Sequence, residues 1–294
     1  MPAEAELRIR ARDGVALAAT FHRGDGADCV VVAGATGVKR QVYGPFARFL
    51  VSQGFSVLTF DYRGIGGSRP SSQGPLGEET PGSLDGFEAR MQDWGTHDLD
   101  AALAWVVDTA KPRRLLVVGH SVGGQLLGLA DHADLVDAAA FVGSQSGYWG
   151  HWPVHQRAGI GLLWFALIPG LSPLLGRFPS RRLGLGEDLP RGVAEQWARW
   201  GRDPDYLMRG DSKRRDQYAH LRMPILMVSL DGDLFAPHAA VDALAGFYAG
   251  AKVTRRHLPK TETTGHFTVF RPGDRRTWEQ MVAFLKDPAA AGPT

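Results

Sequence analysis

The stretch Leu115-Leu-Val-Val-Gly-His-Ser-Val-Gly-Gly124 joins an apolar run to a glycine-rich turn, and a helical pattern begins at once from Val122. This order predicts a buried strand, a sharp turn and a helix. Gly119, Ser121 and Gly123 form the pattern G-x-S-x-G. Such a turn strains the serine backbone, so the residues two positions away must lack bulky side chains. The serine hydroxyl should therefore project beyond the strand, where the first amides of the helix face it.

The same alternation of apolar runs and helical spacing recurs on both sides of this turn. Continuous apolar strands joined by helices predict a parallel sheet that is covered on both faces. Ahead of it, runs at 7–10 and 15–21 flank Asp13-Gly14, which indicates an antiparallel hairpin. The apolar runs lie at 29–33, 56–60, 114–118, 138–142, 224–230 and 253–258, and helical spacing is found at 43–53, 96–109, 122–130, 238–248 and 276–285.

The alternation stops between residues 147 and 215, where Trp, Pro and Gly are frequent. One α/β domain with an inserted helical lid explains this better than two successive domains. We therefore predict a core formed by 1–146 and 216–294, with 147–215 as the lid.

Ala158–Gly176 within this lid is uncharged for 19 residues. Its four glycines, with Pro169 and Pro173, argue against a continuous helix, although the length reaches that of a membrane span. We expect no integral span here but a lid lining an apolar pocket. Peripheral membrane contact is the alternative left open.

A serine nucleophile needs a base, and the base needs an orienting carboxylate. In open α/β sheets these residues should follow later strands at their carboxyl ends. Asp231 and Asp233 follow the next-to-last apolar run, and His266 follows the last one. Ser121 and His266 are thus predicted as nucleophile and base, while either aspartate could be the acid.

Two further histidines are alternatives for the base. His238 opens a helix beside Pro237, and His257 lies within the last strand, where a structural role is the better interpretation.

The chain resembles the α/β-hydrolases along nearly its whole length, and more closely a bacterial group related to the serine aminopeptidase and monoglyceride lipase branch. The resemblance implies a mostly parallel eight-stranded sheet with helices on both faces, and serine-hydrolase chemistry. The order serine, aspartate, histidine is also typical of that family. In similar hydrolases the acid commonly precedes a proline by four positions, which favours Asp233 over Asp231. The phrases that carry the resemblance are Ala35-Thr-Gly-Val38, Asp61-Tyr-Arg-Gly-Ile-Gly-Gly-Ser68, Gly119–Gly124, Ser146-Gly-Tyr-Trp149 and Gly265-His-Phe267.

An oxyanion hole requires two preorganised backbone donors. The N–H of Val122, which follows the nucleophile, should be the first. The second should come from the loop after the 29–33 run, where related lipases carry His-Gly and this chain carries Ala33-Gly-Ala-Thr36. That departure leaves Ala35 and Thr36 as alternatives.

These residues predict a serine hydrolase that cleaves a small-molecule acyl ester through an acyl-enzyme. An acyltransferase or thioesterase on the same residues, and a ligand-binding sensor on a hydrolase scaffold, are the alternatives. We expect Trp149, Trp152, Trp164 and Phe165 of the lid to contact the substrate.

Composition argues against several other classes of protein. The 33 Lys and Arg residues nearly balance 31 Asp and Glu, without a basic run, so nucleic-acid binding is not expected. A single cysteine, Cys29, excludes an intrachain disulfide and any multi-cysteine metal site. Residues 1–10 lack an apolar signal core. We therefore expect a cytoplasmic protein without metal or cofactor, and whether it forms a homodimer stays open.

Overall fold

The computed structural model describes residues 4–73, 79–259, 265–273 and 275–290. Residues 1–3 of the N-terminal stretch 1–10 lie outside these ranges. A central sheet of eight strands runs in the order β1-β2-β4-β3-β5-β6-β7-β8. The strands β1 and β2 form an antiparallel pair, β2 is antiparallel to β4, and all other neighbours are parallel. The strands of this sheet are β1 (Glu4–Arg10), β2 (Ala16–His22), β3 (Cys29–Ala33), β4 (Ser56–Phe60), β5 (Leu115–His120), β6 (Ala138–Val142), β7 (Ile225–Leu230) and β8 (Val253–Leu258).

Helices cover both faces of the sheet, which confirms the predicted fold class. A continuous helical stretch over residues 91–110 combines the single turn Met91–Asp93, the α-helix Asp100–Trp105, and the π-helical segments Trp94–Leu99 and Val106–Ala110. The α-helices are α1 (Gly44–Ser52), α2 (Asp100–Trp105), α3 (Val122–Leu126), α4 (Val154–Leu162), α5 (Ile168–Leu175), α6 (Arg191–Gly201), α7 (Ser212–His220), α8 (His238–Ala245) and α9 (Arg275–Lys286).

The parallel strands are apolar throughout because both of their faces are buried. In β3 every residue is buried, and alternate side chains enter opposite cores: Val31 packs on one face, and Val30 and Val32 on the other. Successive side chains of a strand point to opposite faces, so only a continuous apolar run can satisfy both cores. The strand β5 pairs with β3 and is likewise buried at every residue, which fixes where the turn after it begins.

The stretch Asp61–Ser68 holds the loops beside the sheet in place through the buried carboxylate of Asp61. The Asp61 carboxylate accepts hydrogen bonds from the backbone N–H groups of Arg40 (2.6 Å) and Gly67 (2.9 Å), and pairs with the Arg40 guanidinium. Gly66 has φ +50°, and a Cβ there would lie 2.6 Å from Asp61 Oδ2. Burial raises the pKa of Asp61 above its ordinary value, opposed by these donors. The hydrogen bonds and ion pair between Asp61 and Arg40 fix the start of the helical turn Arg40–Tyr43.

The inserted segment, residues 147–215, differs from our expectation in one respect. Val154–Leu175 is one continuous helix of 22 residues, so the expectation that glycine and proline interrupt it is wrong. The π-helical segment Leu163–Leu167 joins α4 to α5. It shifts the hydrogen-bond pattern just before Pro169, which accommodates the missing N–H. Among the described residues, this is the one helix long and apolar enough to cross a membrane, and the mean hydropathy of its most apolar 18 residues is 1.8.

Candidate active site

Ser121 lies at the end of β5 in a backbone conformation that serine rarely adopts, with φ 51° and ψ −115°. The glycines around it are required sterically. A Cβ on Gly119 would lie 2.6 Å from the Gly124 nitrogen, and one on Gly123 would lie 2.1 Å from the Ala33 oxygen. The strain is therefore held in place by close packing of the turn against β3 and α3.

The side chains of Asp233 and His266 are joined by a hydrogen bond. The His266 Nδ1–H donates to Asp233 Oδ2 over 2.8 Å, and both side chains are buried. The other oxygen, Oδ1, accepts from the backbone N–H groups of Phe235 (2.8 Å) and Ala236 (3.1 Å). Three donors thus fix the carboxylate, which fixes the tautomer and orientation of the imidazole.

Asp231, the other candidate acid, faces a different set of residues. Its carboxylate bonds to His238 Nε2 at 2.8 Å, and the His238 and His257 rings both contact the Ser229 hydroxyl. This cluster lies outside the cavity that holds Ser121, so the structure does not bring these two histidines to the predicted nucleophile.

Ser121 and His266 line one cavity, which has about 640 Å³ of empty space including its mouth. Among the described residues no hydrogen bond joins the two side chains, and such contacts often tighten only when substrate binds. The wall is mostly apolar, and most of it comes from the inserted segment: Gly147, Trp152, Ile160, Leu163, Trp164, Phe178, Ser180, Leu185, Leu189 and Trp197, with Ala35, Thr36, Gln145, Phe235 and Phe267 from elsewhere.

Of the four predicted substrate contacts, Trp152 and Trp164 line this cavity and the other two do not. Phe165 is 52% exposed and packs edge-on against Trp149, with ring centroids 5.6 Å apart. Consecutive residues of a helix point in different directions, so the π-helical segment that turns Trp164 inward turns Phe165 outward. The structure therefore does not place Phe165, or Trp149 beside it, in the wall of this cavity, and their contact with substrate stays a prediction. The cavity also uses Trp197 and Phe178, for which sequence spacing gave no signal.

Of the two candidate oxyanion donors in the loop after β3, one is already engaged. The Ala35 N–H donates to the Tyr43 hydroxyl over 2.7 Å. Among the described residues the N–H groups of Thr36 and Val122 have no hydrogen-bond partner, and the Thr36 Oγ1 is buried without one. Of the two alternatives, Thr36 therefore has the available donor.

His120 is the functional neighbour that sequence reasoning missed. It is fully buried between the Tyr43 hydroxyl, 2.8 Å from Nδ1, and the carbonyl oxygen of His266, 2.8 Å from Nε2. The carbonyl can only accept, so Nε2 carries the proton and Nδ1 accepts from Tyr43. Burial, and the neighbouring His266, hold the pKa of His120 well below its ordinary value, which keeps it neutral. The only sequence signal was its position within G-x-S-x-G.

No group of three or more His, Cys, Asp or Glu side chains is placed to hold a metal ion within the ranges that the structure describes.

Known proteins share this architecture. The sequence profile of a family described as alpha/beta hydrolase fold matches residues 30–162. The chain has the α/β-hydrolase fold. No curated protein sequence matches it significantly. The more specific resemblance to the serine aminopeptidase and monoglyceride lipase branch stays a prediction.

Three solved structures with the α/β-hydrolase fold illustrate the likeness. The esterase Pf2001 of Pyrococcus furiosus is 16% identical with a TM-score of 0.60, covering 96% of this chain and 89% of that one. The esterase EaEST of Exiguobacterium antarcticum is 17% identical with a TM-score of 0.60, covering 96% and 100%. A bromoperoxidase of Bacillus anthracis is 15% identical with a TM-score of 0.59, covering 96% and 100%.

Proposed function

We propose that this protein is a serine hydrolase that cleaves a carboxylic ester. The observation that carries the proposal is the strained Ser121, which lines the same apolar cavity as an imidazole whose other nitrogen donates to a buried carboxylate at 2.8 Å. A nucleophile, a base and an orienting acid in these roles are the requirements of acyl transfer.

In the proposed acylation step, Ser121 Oγ attacks the carbonyl carbon of the ester while His266 Nε2 takes the hydroxyl proton. Asp233 stabilises the imidazolium that forms. The electron pair of the carbonyl moves to its oxygen, which accepts hydrogen bonds from the Val122 and Thr36 N–H groups. One such donor contributes about 3 to 4 kcal/mol of transition-state stabilisation.

When the tetrahedral intermediate collapses, the bond to the alcohol oxygen breaks and the leaving alkoxide takes the proton from His266. Water then attacks the acyl-enzyme by the same sequence and releases the acid. An alcohol, amine or thiol acceptor in place of water would make the same residues an acyltransferase, and a thioester substrate would make the protein a thioesterase.

The lining of the cavity favours an apolar acyl group. The indole N–H groups of Trp152 and Trp164 are already bonded to the carbonyl oxygens of Leu234 (2.8 Å) and Gly147 (3.1 Å). The rings therefore offer apolar surface and no free donor. Solved structures of similar fold are named esterases, which supports this choice among acyl substrates.

A fluorophosphonate probe and a panel of p-nitrophenyl esters test the proposal. We expect the wild-type protein to be labelled and to turn over the esters, and Ser121→Ala to lose both properties. Ser52→Ala, at the exposed end of α1, is the matched control and should retain both. Labelling that persists in Ser121→Ala would refute the nucleophile. Absence of turnover above the Ser121→Ala background with esters and thioesters, together with a ligand that raises Tm, would favour the sensor alternative.

A further inference from the structure

The helix Val154–Leu175 presents an apolar face to solvent. Of its residues from Ala158 onward, only Trp164, Ile168 and Ser172 are buried, and these stand four positions apart. They form one stripe against the core. From Ala158 onward the rest of the helix surface carries no charged residue, and Leu162 (55% exposed) and Leu174 (78%) lie away from the stripe. Val154, in the first turn, is also 78% exposed.

Acidic residues are absent from the sequence around this face. Residues 138–186 contain no Asp or Glu and four arginines, namely Arg157, Arg177, Arg181 and Arg182. Arg177 pairs with Asp85 and Asp188, and Arg181 pairs with Glu187, so these two are partly neutralised from outside the stretch. Arg182 is exposed, and the Arg202 guanidinium from α6 lies 5.8 Å from the Phe165 ring.

The helix itself carries no acid, and the nearby carboxylates Asp85, Asp188 and Glu187 are paired with Arg177 and Arg181. Such an exposed apolar face complements a surface that is apolar inside and negatively charged outside. We propose that the helix Val154–Leu175 docks flat on a lipid bilayer that contains anionic lipids. Its exposed apolar side chains would enter the acyl region, and the arginines would lie at the level of the headgroups.

The buried stripe determines the flat orientation. Trp164 and Ile168 are each at most 1% exposed, and the Trp164 indole donates to the Gly147 carbonyl. A spanning helix would have to leave these contacts, whereas a helix in the plane of the interface keeps them. At 1.5 Å per residue, 22 residues extend about 33 Å along the surface.

A second copy of the chain fits this face less well. In a symmetric dimer formed through this face, each arginine of residues 138–186 would face another residue of the same segment, and the segment has no acid to pair with it. Like charges held together across a contact oppose association.

The position of the helix connects the surface to the cavity. Ile160, Leu163 and Trp164 line the cavity that contains Ser121, and Leu162 and Leu174 lie on the exposed side. If the proposed function holds, the substrate is an acyl ester that resides in the bilayer. Docking itself does not require catalysis.

Vesicle flotation of the 294-residue chain tests the proposal. We expect the wild type to float with vesicles of phosphatidylcholine containing phosphatidylglycerol, and less with phosphatidylcholine alone. Val154→Gln with Leu162→Gln and Leu174→Gln should lower binding at least about tenfold, because three apolar groups no longer enter the acyl region. Leu135→Gln with Val42→Gln, which changes exposed apolar residues elsewhere, should bind like the wild type.

Two further measurements separate the outcomes. Ser121→Ala should float like the wild type, so that a failed hydrolase assignment leaves the docking result intact. The triple variant should retain its circular dichroism spectrum and its turnover of a water-soluble ester. Flotation of the triple variant equal to that of the wild type, or no binding to either vesicle, would overturn the proposal. So would a dimer in solution that the triple variant abolishes, without vesicle binding.

Discussion

His120 donates a hydrogen bond from Nε2 to the main-chain carbonyl oxygen of His266, 2.8 Å away. The bond is one end of a buried chain in which the Ala35 N–H donates to the Tyr43 hydroxyl, and that hydroxyl donates to His120 Nδ1. The loop that carries the proposed oxyanion donor and the loop that carries the proposed base are therefore tied together through two side chains. Neither side chain touches the reacting atoms, so both are positioning residues.

Tyr43→Phe removes the hydroxyl at the centre of this chain. We expect kcat to fall about tenfold with KM changed less than about twofold, because a small misplacement of the catalytic loops weakens transition-state binding more than substrate binding. Steady-state kinetics of ester hydrolysis check this, with Tyr148→Phe as the control because Tyr148 takes no part in these hydrogen bonds. A merely structural role would lower Tm and leave kcat per folded molecule unchanged, and that result would count against the positioning role.

Asp233 and Asp231 offer a matched pair of substitutions two residues apart. Asp233→Asn should lower kcat about 10⁴-fold, because the amide at this position favours the wrong imidazole tautomer. Asp231→Asn should change kcat less than about threefold, since its partner is His238 and not His266. Steady-state kinetics on one ester decide between them. Equal losses in the two variants would contradict the assignment of the acid.

Much of this site follows from local sequence. The turn at Gly119–Gly124 and the loops after β7 and β8 could be predicted because strand, turn and helix patterns depend on adjacent residues. The choice between Asp231 and Asp233 rested on a proline offset in similar hydrolases. The structure separates them by hydrogen bonds that no local pattern encodes.

The features that could not be predicted depend on residues distant in the chain. His120 bonds to Tyr43 and His266, which are 77 and 146 positions away. The Ala35 N–H likewise donates its hydrogen bond to the Tyr43 hydroxyl, eight residues along the chain. Low helix propensity also led us to expect an interrupted helix in the inserted segment. There the packing of Trp164 and Ile168 outweighs the cost of two prolines within the helix.

Cys29, the single cysteine, should be inert in the native protein. It is 1% exposed, and burial raises the pKa of its thiol to about 12. The thiolate is the reactive form and is nearly absent at pH 8. We expect 5,5′-dithiobis(2-nitrobenzoic acid) to release no thionitrobenzoate from the folded protein and one equivalent after denaturation. Rapid release without denaturant would show that the start of β3 opens readily.

Trp197 should set an upper limit on acyl chain length. It is a partly buried residue of α6 that lines the cavity and donates to the Tyr206 hydroxyl over 3.1 Å. Trp197→Leu enlarges the cavity without emptying a fully buried position. We expect the longest accepted p-nitrophenyl ester to lengthen. For each added methylene that becomes buried, kcat/KM should rise about fourfold, which corresponds to about 0.8 kcal/mol. Trp105 packs against Phe21 and does not line the cavity, so Trp105→Leu is the control and should leave the chain-length profile unchanged. An identical cutoff in Trp197→Leu and the wild type would mean that the acyl chain lies elsewhere.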